Sequence, residues 1–281
     1  MIIIGERLNS TRRVVHDALA RRDEAFLAEE ARSQRAAGAT YIDLNTAALL
    51  GREIDTLRWA VPLLSGAGAD EDQGTAASTG AGDLSLDTPN PEAMAEGLRL
   101  HRGRALVNSL SGESKRIQAL LPLIREYRPR VIALCLDDDG LPKTSDKEVE
   151  IAESLADLLS KQGLAQEDIF IDPLVRPIGV DETAANLFLE SLEKIRRRLP
   201  AVKTVAGISN VSYGMPGRRA LNRAFLILAI QRGLDAAILD PLDKELLAGL
   251  HSADTLLGRD SLRSYISFMR HTRARGANQA S

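Results

Sequence analysis

The chain has 281 residues, of which 44% are hydrophobic but only 4% aromatic, and its 36 basic and 39 acidic side chains leave a formal charge of −3. That balance offers nucleic acid or an anionic membrane no electrostatic footprint, and no apolar run is long enough to span a bilayer. The single cysteine, Cys135, excludes an intrachain disulfide, no Cys/His cluster has zinc-site spacing, and the opening MIII is too short for the apolar core of a signal peptide, so a reducing cytoplasm is the expected setting.

Short β-branched runs at 2–4, 41–44, 84–86, 105–107, 131–134, 169–171, 204–207 and 236–239 alternate with longer segments of helical period. The pattern predicts repeated βα units and a parallel sheet. Eight such strands close without an exposed edge, and roughly 250 residues is the usual size of a (β/α)₈ barrel. One α/β domain over 1–281 is therefore expected, with a doubly wound open sheet as the alternative. Apolar stripes such as Ile117, Leu120, Leu121 and Ile124, or Ile151, Leu155, Leu158 and Leu159, mark the core-facing sides of covering helices. The run KIRRR at 194–198 reads as a solvated helix face rather than a binding patch.

Two segments depart from this alternation. Residues 65–83, SGAGADEDQGTAASTGAGD, lack large apolar side chains and are expected to form a mobile insertion on the N-terminal face of the barrel. Residues 273–281 are expected to be a polar tail.

The chemistry gathers at the C-terminal ends of the strands, where a barrel builds its active site. The first strand runs into Glu6 and Asn9, the second into Asp43 and Asn45, the third into Asp87, the fourth into Asn108, the sixth into Asp172 and the seventh, past Gly207, into Ser209 and Asn210. Any one of these fits a helix cap or a turn. Caps would scatter over both ends of the barrel, whereas this set gathers at one. His16, His101, His251 and His271 all fall on predicted helices, which leaves no hydrolytic triad. A metal-free pocket of carboxylates and carboxamides suits a flat heterocycle with alternating donors and acceptors. A pterin has such an edge, because its ring N–H and amino group present parallel donors to one carboxylate.

The segments IIIGERLN (Ile2–Asn9), YIDLN (Tyr41–Asn45), LSLDTPNPEAMAEG (84–97), ALVNS (105–109), FIDPL (170–174) and GISNVSYGMPGRRALNRAFL (207–226) closely resemble the pterin-binding methyltransferases. The nearest types are methyltetrahydrofolate:corrinoid/iron-sulfur protein methyltransferase and the folate domain of cobalamin-dependent methionine synthase. The likeness runs through nearly the whole chain apart from 65–83. It implies a (β/α)₈ barrel of the dihydropteroate-synthase type that moves the N5 methyl group between methyltetrahydrofolate and the cobalt of a corrinoid protein. It also implies a homodimer, a separate cobalamin-carrying partner and no metal of its own. Within the resemblance Asp87, Asn108 and Asp172 hold the pterin, Asn210 reaches N5 and assists the leaving nitrogen, and Asp87 either relays a proton or only positions the ring.

Gly207, Ser209, Tyr213 and Arg218 complete the expected folate contacts. Glu6 and Asn9 are expected to support the pocket floor, and Asp43 and Asn45 to lie behind it. Tyr213 either stacks on the aminobenzoate ring or simply packs. Arg218 is placed at the rim, facing the glutamate tail, and Arg223 on its helix, while Ser212 shapes the turn. Two other functions stay open: a dihydropteroate-synthase-like condensing enzyme, which needs a pyrophosphate site not visible here, and a folate-binding module silent on its own.

Overall fold

The computed structural model describes residues 1–66 and 83–277. Eight parallel strands close into one barrel in chain order: β1 (Ile2–Asn9), β2 (Tyr41–Asn45), β3 (Leu84–Asp87), β4 (Leu106–Gly112), β5 (Arg130–Asp137), β6 (Ile169–Asp172), β7 (Lys203–Gly207) and β8 (Ala236–Leu239). The ring is sealed between β1 and β8, where Ile2 to Gly5 pair with Ala236 to Leu239. The covering helices are α1 (Arg13–Arg21), α2 (Glu24–Ala36), α3 (Glu53–Gly66), α4 (Pro91–Leu100), α5 (Ser114–Tyr127), α6 (Ser145–Lys161), α7 (Ala184–Arg198), α8 (Arg218–Gln231), α9 (Lys244–Leu256) and α10 (Leu262–Ala277). This is the expected barrel, and the open sheet is excluded.

Strand alternation sorts the interior into layers. Ile4, Tyr41, Leu106, Ile132, Phe170, Val205 and Ala236 point inward and pack together as an apolar floor. Beneath it the Arg130 guanidinium lies 5.8 Å from the Tyr41 ring and the Lys203 ammonium 5.3 Å from that of Phe170, so cations close the N-terminal end. Two larger apolar clusters fill the space between the outward faces of the strands and the helices.

The strands run further than the apolar runs suggested, above all β1, β4 and β5. Polar residues such as Asn108 end an apolar run but not a ladder, because backbone pairing is indifferent to side-chain polarity. Ser65 and Gly66, expected in the insertion, close α3, where the Ser65 hydroxyl donates to the Val61 carbonyl at 2.7 Å. Asp83, its last residue, pairs with Arg130 at 3.2 Å, and the residues between, 67–82, lie outside the described residues. Residues 273–277 of the expected tail belong to α10, which starts where the Leu262 amide follows a Ser261 hydroxyl that accepts from Ser264 N–H at 3.1 Å; 278–281 lie outside the described residues. His101 is not helical either: it closes α4, and its Nε2 accepts the Leu84 N–H at 3.1 Å, below the floor. The 194–198 run is an ion-paired face, with Lys194 bound to Asp146 and Glu190, and Arg198 to Glu153. None of the described helices is long and apolar enough to cross a membrane.

Candidate active site

Two residues beyond the floor, the same interior face turns polar. Glu6 follows Ile4, Asp43 follows Tyr41, Asn108 follows Leu106, Asp172 follows Phe170 and Gly207 follows Val205. Period-two geometry thus sets these positions on one level of the barrel, with Asn45 and Asp87 at the rim above Asp43 and Ser85. The helix-cap explanation fails for this level. The side chains that cap α4, α6 and α9 are Asn90, Thr144 and Asp243, none of them a strand-end residue.

Hydrogen bonds link the layer across strands. Asp43 Oδ1 accepts from Ser85 Oγ at 2.6 Å and from Asn108 Nδ2 at 3.1 Å. Asn45 donates its amide to Asp87 while its Oδ1 accepts from Ser10 Oγ at 3.2 Å and from Ala47 N–H at 3.1 Å. Asp43 and Asn45 therefore hold Asn108 and Asp87 in place. Glu6 accepts from Ser209 Oγ at 3.2 Å, which ties the first strand to the turn after the seventh.

Asp172 accepts the Leu174 N–H at 2.8 Å. The chain reaches that bond through a left-handed Leu174, φ 65°, a conformation that a leucine rarely adopts and that clusters at functional sites. The remaining carboxylate oxygen has no donor among the described residues.

These carboxyls hold protons unusually well. Burial pushes Asp172 up to about 7, with the Leu174 amide opposing the rise. Burial also lifts Glu6 to about 7, opposed by the Ser209 hydroxyl and reinforced by Asp240 and Asp43. Asp43 and Asp87 both rise, through burial first and, for Asp87, through the negative charge of Asp43. A ligand with convergent N–H donors would favour the ionised form of these carboxyls.

The turn after β7 carries Asn210. Residues Ile208–Ser212 form a 3₁₀ turn that leaves the Asn210 side chain exposed above the polar layer. A Cβ on Gly207 would lie 2.9 Å from Asn210 Nδ2, so glycine is what lets the carboxamide fold back over the strand end. Arg218 braces this turn from α8: its Nε donates to Ser212 Oγ at 3.1 Å and its Nη2 to the Ser209 carbonyl at 2.9 Å. Ser212 Oγ in turn donates to Asn222 Oδ1 at 2.6 Å.

Some expected positions differ. Asn9 is not part of the floor, because its Oδ1 accepts from Thr11 N–H at 2.9 Å and Thr11 Oγ1 at 2.7 Å and so shapes the exit of β1. The floor itself is apolar, and Glu6 stands one level above it. Tyr213 does not pack: it is 70% exposed at the mouth. The Arg218 guanidinium, exposed at the rim, also braces the turn, and Arg223 binds Glu245. Two contributors were not foreseen. Ser85 lies two positions before Asp87 on the same face, a spacing that could have disclosed it. Arg116 on α5 donates to the carbonyls of Ser109 at 3.0 Å, Pro89 at 2.8 Å and Thr88 at 3.1 Å, pinning the chain just beyond Asn108 and Asp87. Among the described residues, no group of three or more His, Cys, Asp or Glu side chains is placed to hold a metal ion.

A closed parallel barrel with an interior carboxylate and carboxamide layer at its C-terminal mouth defines a binder of flat, donor-rich heterocycles. The chain belongs to the pterin binding enzyme family, whose profile matches residues 5–240. It is 33% identical over 264 residues to the methylcorrinoid:tetrahydrofolate methyltransferase of Eubacterium limosum, a match covering 93% of each chain. It is 29% identical over 251 residues to the methionine synthase of Mycobacterium leprae, where 85% of this chain covers 20% of that protein. Dihydropteroate synthase of Yersinia pestis shares the fold, with a TM-score of 0.64 at 16% identity over 92% of this chain and 93% of that one.

Proposed function

We propose that this protein transfers a methyl group between N5 of methyltetrahydrofolate and the cobalt of a corrinoid protein. The observation that carries the reading is the Asn210 turn standing over a layer of proton-holding carboxyls, in a chain matched over 93% of its length by a methylcorrinoid:tetrahydrofolate methyltransferase. The pterin lies in the polar layer, with its ring N–H and amino donors on Asp172 and further contacts from Asn108 and Asp87. Glu6, Ser209 and Gly207 shape the wall below the turn, and Tyr213 stands at the mouth beside the aminobenzoyl group.

The chemistry explains the residue types. When the methyl leaves N5 for Co(I), the C–N electron pair returns to nitrogen, which must gain a proton or a hydrogen bond. In the opposite direction N5 takes the methyl, the Co–C electron pair stays on cobalt, and the N5 proton departs. A carboxamide serves both directions, since Asn210 Nδ2 donates to the N5 lone pair and Oδ1 accepts from N5–H. Such a preorganised contact contributes about 3 kcal/mol to a transition state. Asp87, lifted by burial and by Asp43, is the proton relay to water.

A corrinoid protein is the proposed partner, and its corrin must approach the open mouth above Asn210. The whole chain works as one pterin-binding domain and forms a homodimer, a state supported by the exposed Leu228, Leu256, Leu262 and Ile266 on α8 to α10. The deciding experiment mixes the isolated protein with methyltetrahydrofolate and chemically reduced free cobalamin. Methylcobalamin appearing in the visible spectrum supports transfer. Tight folate binding with no methylcobalamin would make the protein a silent module instead.

A further inference from the structure

We propose that the cavity between the loops following β5 and β6 is a subsite for the carboxylates of a folate polyglutamate tail, with Lys143 and Arg176 as its anion-binding pair. The proposal rests on the pterin site described above and extends it by a second contact surface.

The cavity measures about 360 Å³ and is lined by Lys143, Arg176, Asp181, Asn186 and Glu190 among others. Its acids are already satisfied. Asp181 accepts from Thr183 N–H at 2.9 Å and Thr183 Oγ1 at 2.7 Å, and Glu190 accepts from Ser145 Oγ at 2.8 Å and pairs with Lys194 at 2.8 Å. Its cations are not: neither Lys143 nor Arg176 makes a hydrogen bond or an ion pair with any described residue. Arg176 lies within electrostatic reach of Asp181 and of Glu148, the latter with its Oε2 buried without a hydrogen-bond partner, but pairs directly with neither. An entering carboxylate therefore finds two cations with no directly bonded partner among the described residues, a bidentate fork and a point charge.

Position favours the tail over other anions. Arg176 follows Asp172 by four residues, so the chain separates them by at most about 14 Å. A folate whose pterin sits on Asp172 carries its glutamates beyond one benzoyl ring and an amide, outward toward the same loops. Of the nearby arginines, Arg218 donates to the Asn210 turn and Arg223 pairs with Glu245. Each added γ-linked glutamate brings one more carboxylate, and the Asn186 carboxamide on the cavity wall suits the amide links between them.

The test compares dissociation constants for tetrahydropterin without a tail, methyltetrahydrofolate monoglutamate and methyltetrahydrofolate triglutamate, with the wild type and the Lys143→Ala/Arg176→Ala double variant. Because neither cation makes a hydrogen bond or an ion pair with a described residue, the variant should fold as the wild type does, which circular dichroism checks. The wild type should bind the triglutamate about tenfold more tightly than the monoglutamate, a preference that added salt weakens. The double variant should lose that preference and bind the tailless pterin unchanged. Equal affinities for the two folates in the wild type, or a preference that survives in the double variant, would overturn the subsite while leaving the pterin site standing. Failure of the wild type to bind even the tailless pterin would remove the pterin site, and this proposal with it.

Discussion

Asn108 Nδ2 reaches past β3 to donate to Asp43 Oδ1 at 3.1 Å, and Ser85, on the strand between them, donates to the same oxygen at 2.6 Å. One buried carboxylate thus orients a carboxamide proposed to contact the pterin and a hydroxyl from two neighbouring strands. Asp43→Ala strands both donors, and a buried unsatisfied donor costs about 1–3 kcal/mol. Urea denaturation should show a stability loss of that size, with folate affinity falling at least fivefold because the Asn108 amide is free to turn. Unchanged affinity in a folded variant would mean that Asn108 does not contact the ligand.

Asp172 predicts a coupled pH dependence of stability and binding. Its carboxyl titrates near 7 in the folded protein and near its ordinary value, 3.8, when unfolded. The folded state therefore binds more protons between those values, so the contribution to stability is complete at low pH and is lost as pH rises toward 7 and beyond. Unfolding free energy of the ligand-free protein should fall between about pH 4 and 8, and Asp172→Asn should flatten that slope. Pterin binding runs the other way: the donors require the ionised form, so affinity should rise through pH 7 with release of about one proton at pH 6. Calorimetry in buffers of different ionisation enthalpy measures that release, and a value of zero would exclude Asp172 as the acceptor.

Much of this site could be read before the fold was seen, for a physical reason. Glu6, Asp43, Asn108 and Asp172 each stand two residues past an inward apolar residue, and a two-residue period survives in the linear order. What was hidden depends on contacts between distant segments. The function of Arg116 exists only because α5 passes beneath the loops after β3 and β4 at once. The bracing role of Arg218 is hidden in the same way, because nothing in its neighbourhood of sequence shows that the Ser209 carbonyl turns toward it. Lys143 and Arg176, 33 positions apart, become a pair only when α6 and α7 pack side by side.

Arg116 gives a test of that hidden support. Its guanidinium holds three carbonyls and is the cation that opposes the rise of Asp87. Arg116→Met should weaken folate binding by about tenfold or more, since charged hydrogen bonds contribute about 1.5–3 kcal/mol each before relaxation. It should also move the pH midpoint of transfer upward, because Asp87 then ionises later. Arg116→Lys should restore part of the pH midpoint, through its charge, but little of the affinity, through its lack of a fork. A purely structural role would lower the melting temperature and leave the midpoint in place.

Gly207 and Asn210 form the most direct test of the transfer step. Asn210→Ala removes the proposed contact to N5 while leaving Asp172, Asn108 and Asp87 intact. Folate affinity should change less than about threefold and the transfer rate should fall about 10²-fold or more, the signature of an interaction that strengthens in the transition state. Gly207→Ala keeps the carboxamide but places a methyl only 2.9 Å from its Nδ2, so the group must turn away. The two variants should therefore look alike in kinetics although only one lacks the amide. The double variant should be hardly slower than Asn210→Ala, since both act through one contact and their effects do not add. Single-turnover rates of methylcobalamin formation measure all three, and additive losses would show that Gly207 acts on the pterin itself instead of through Asn210.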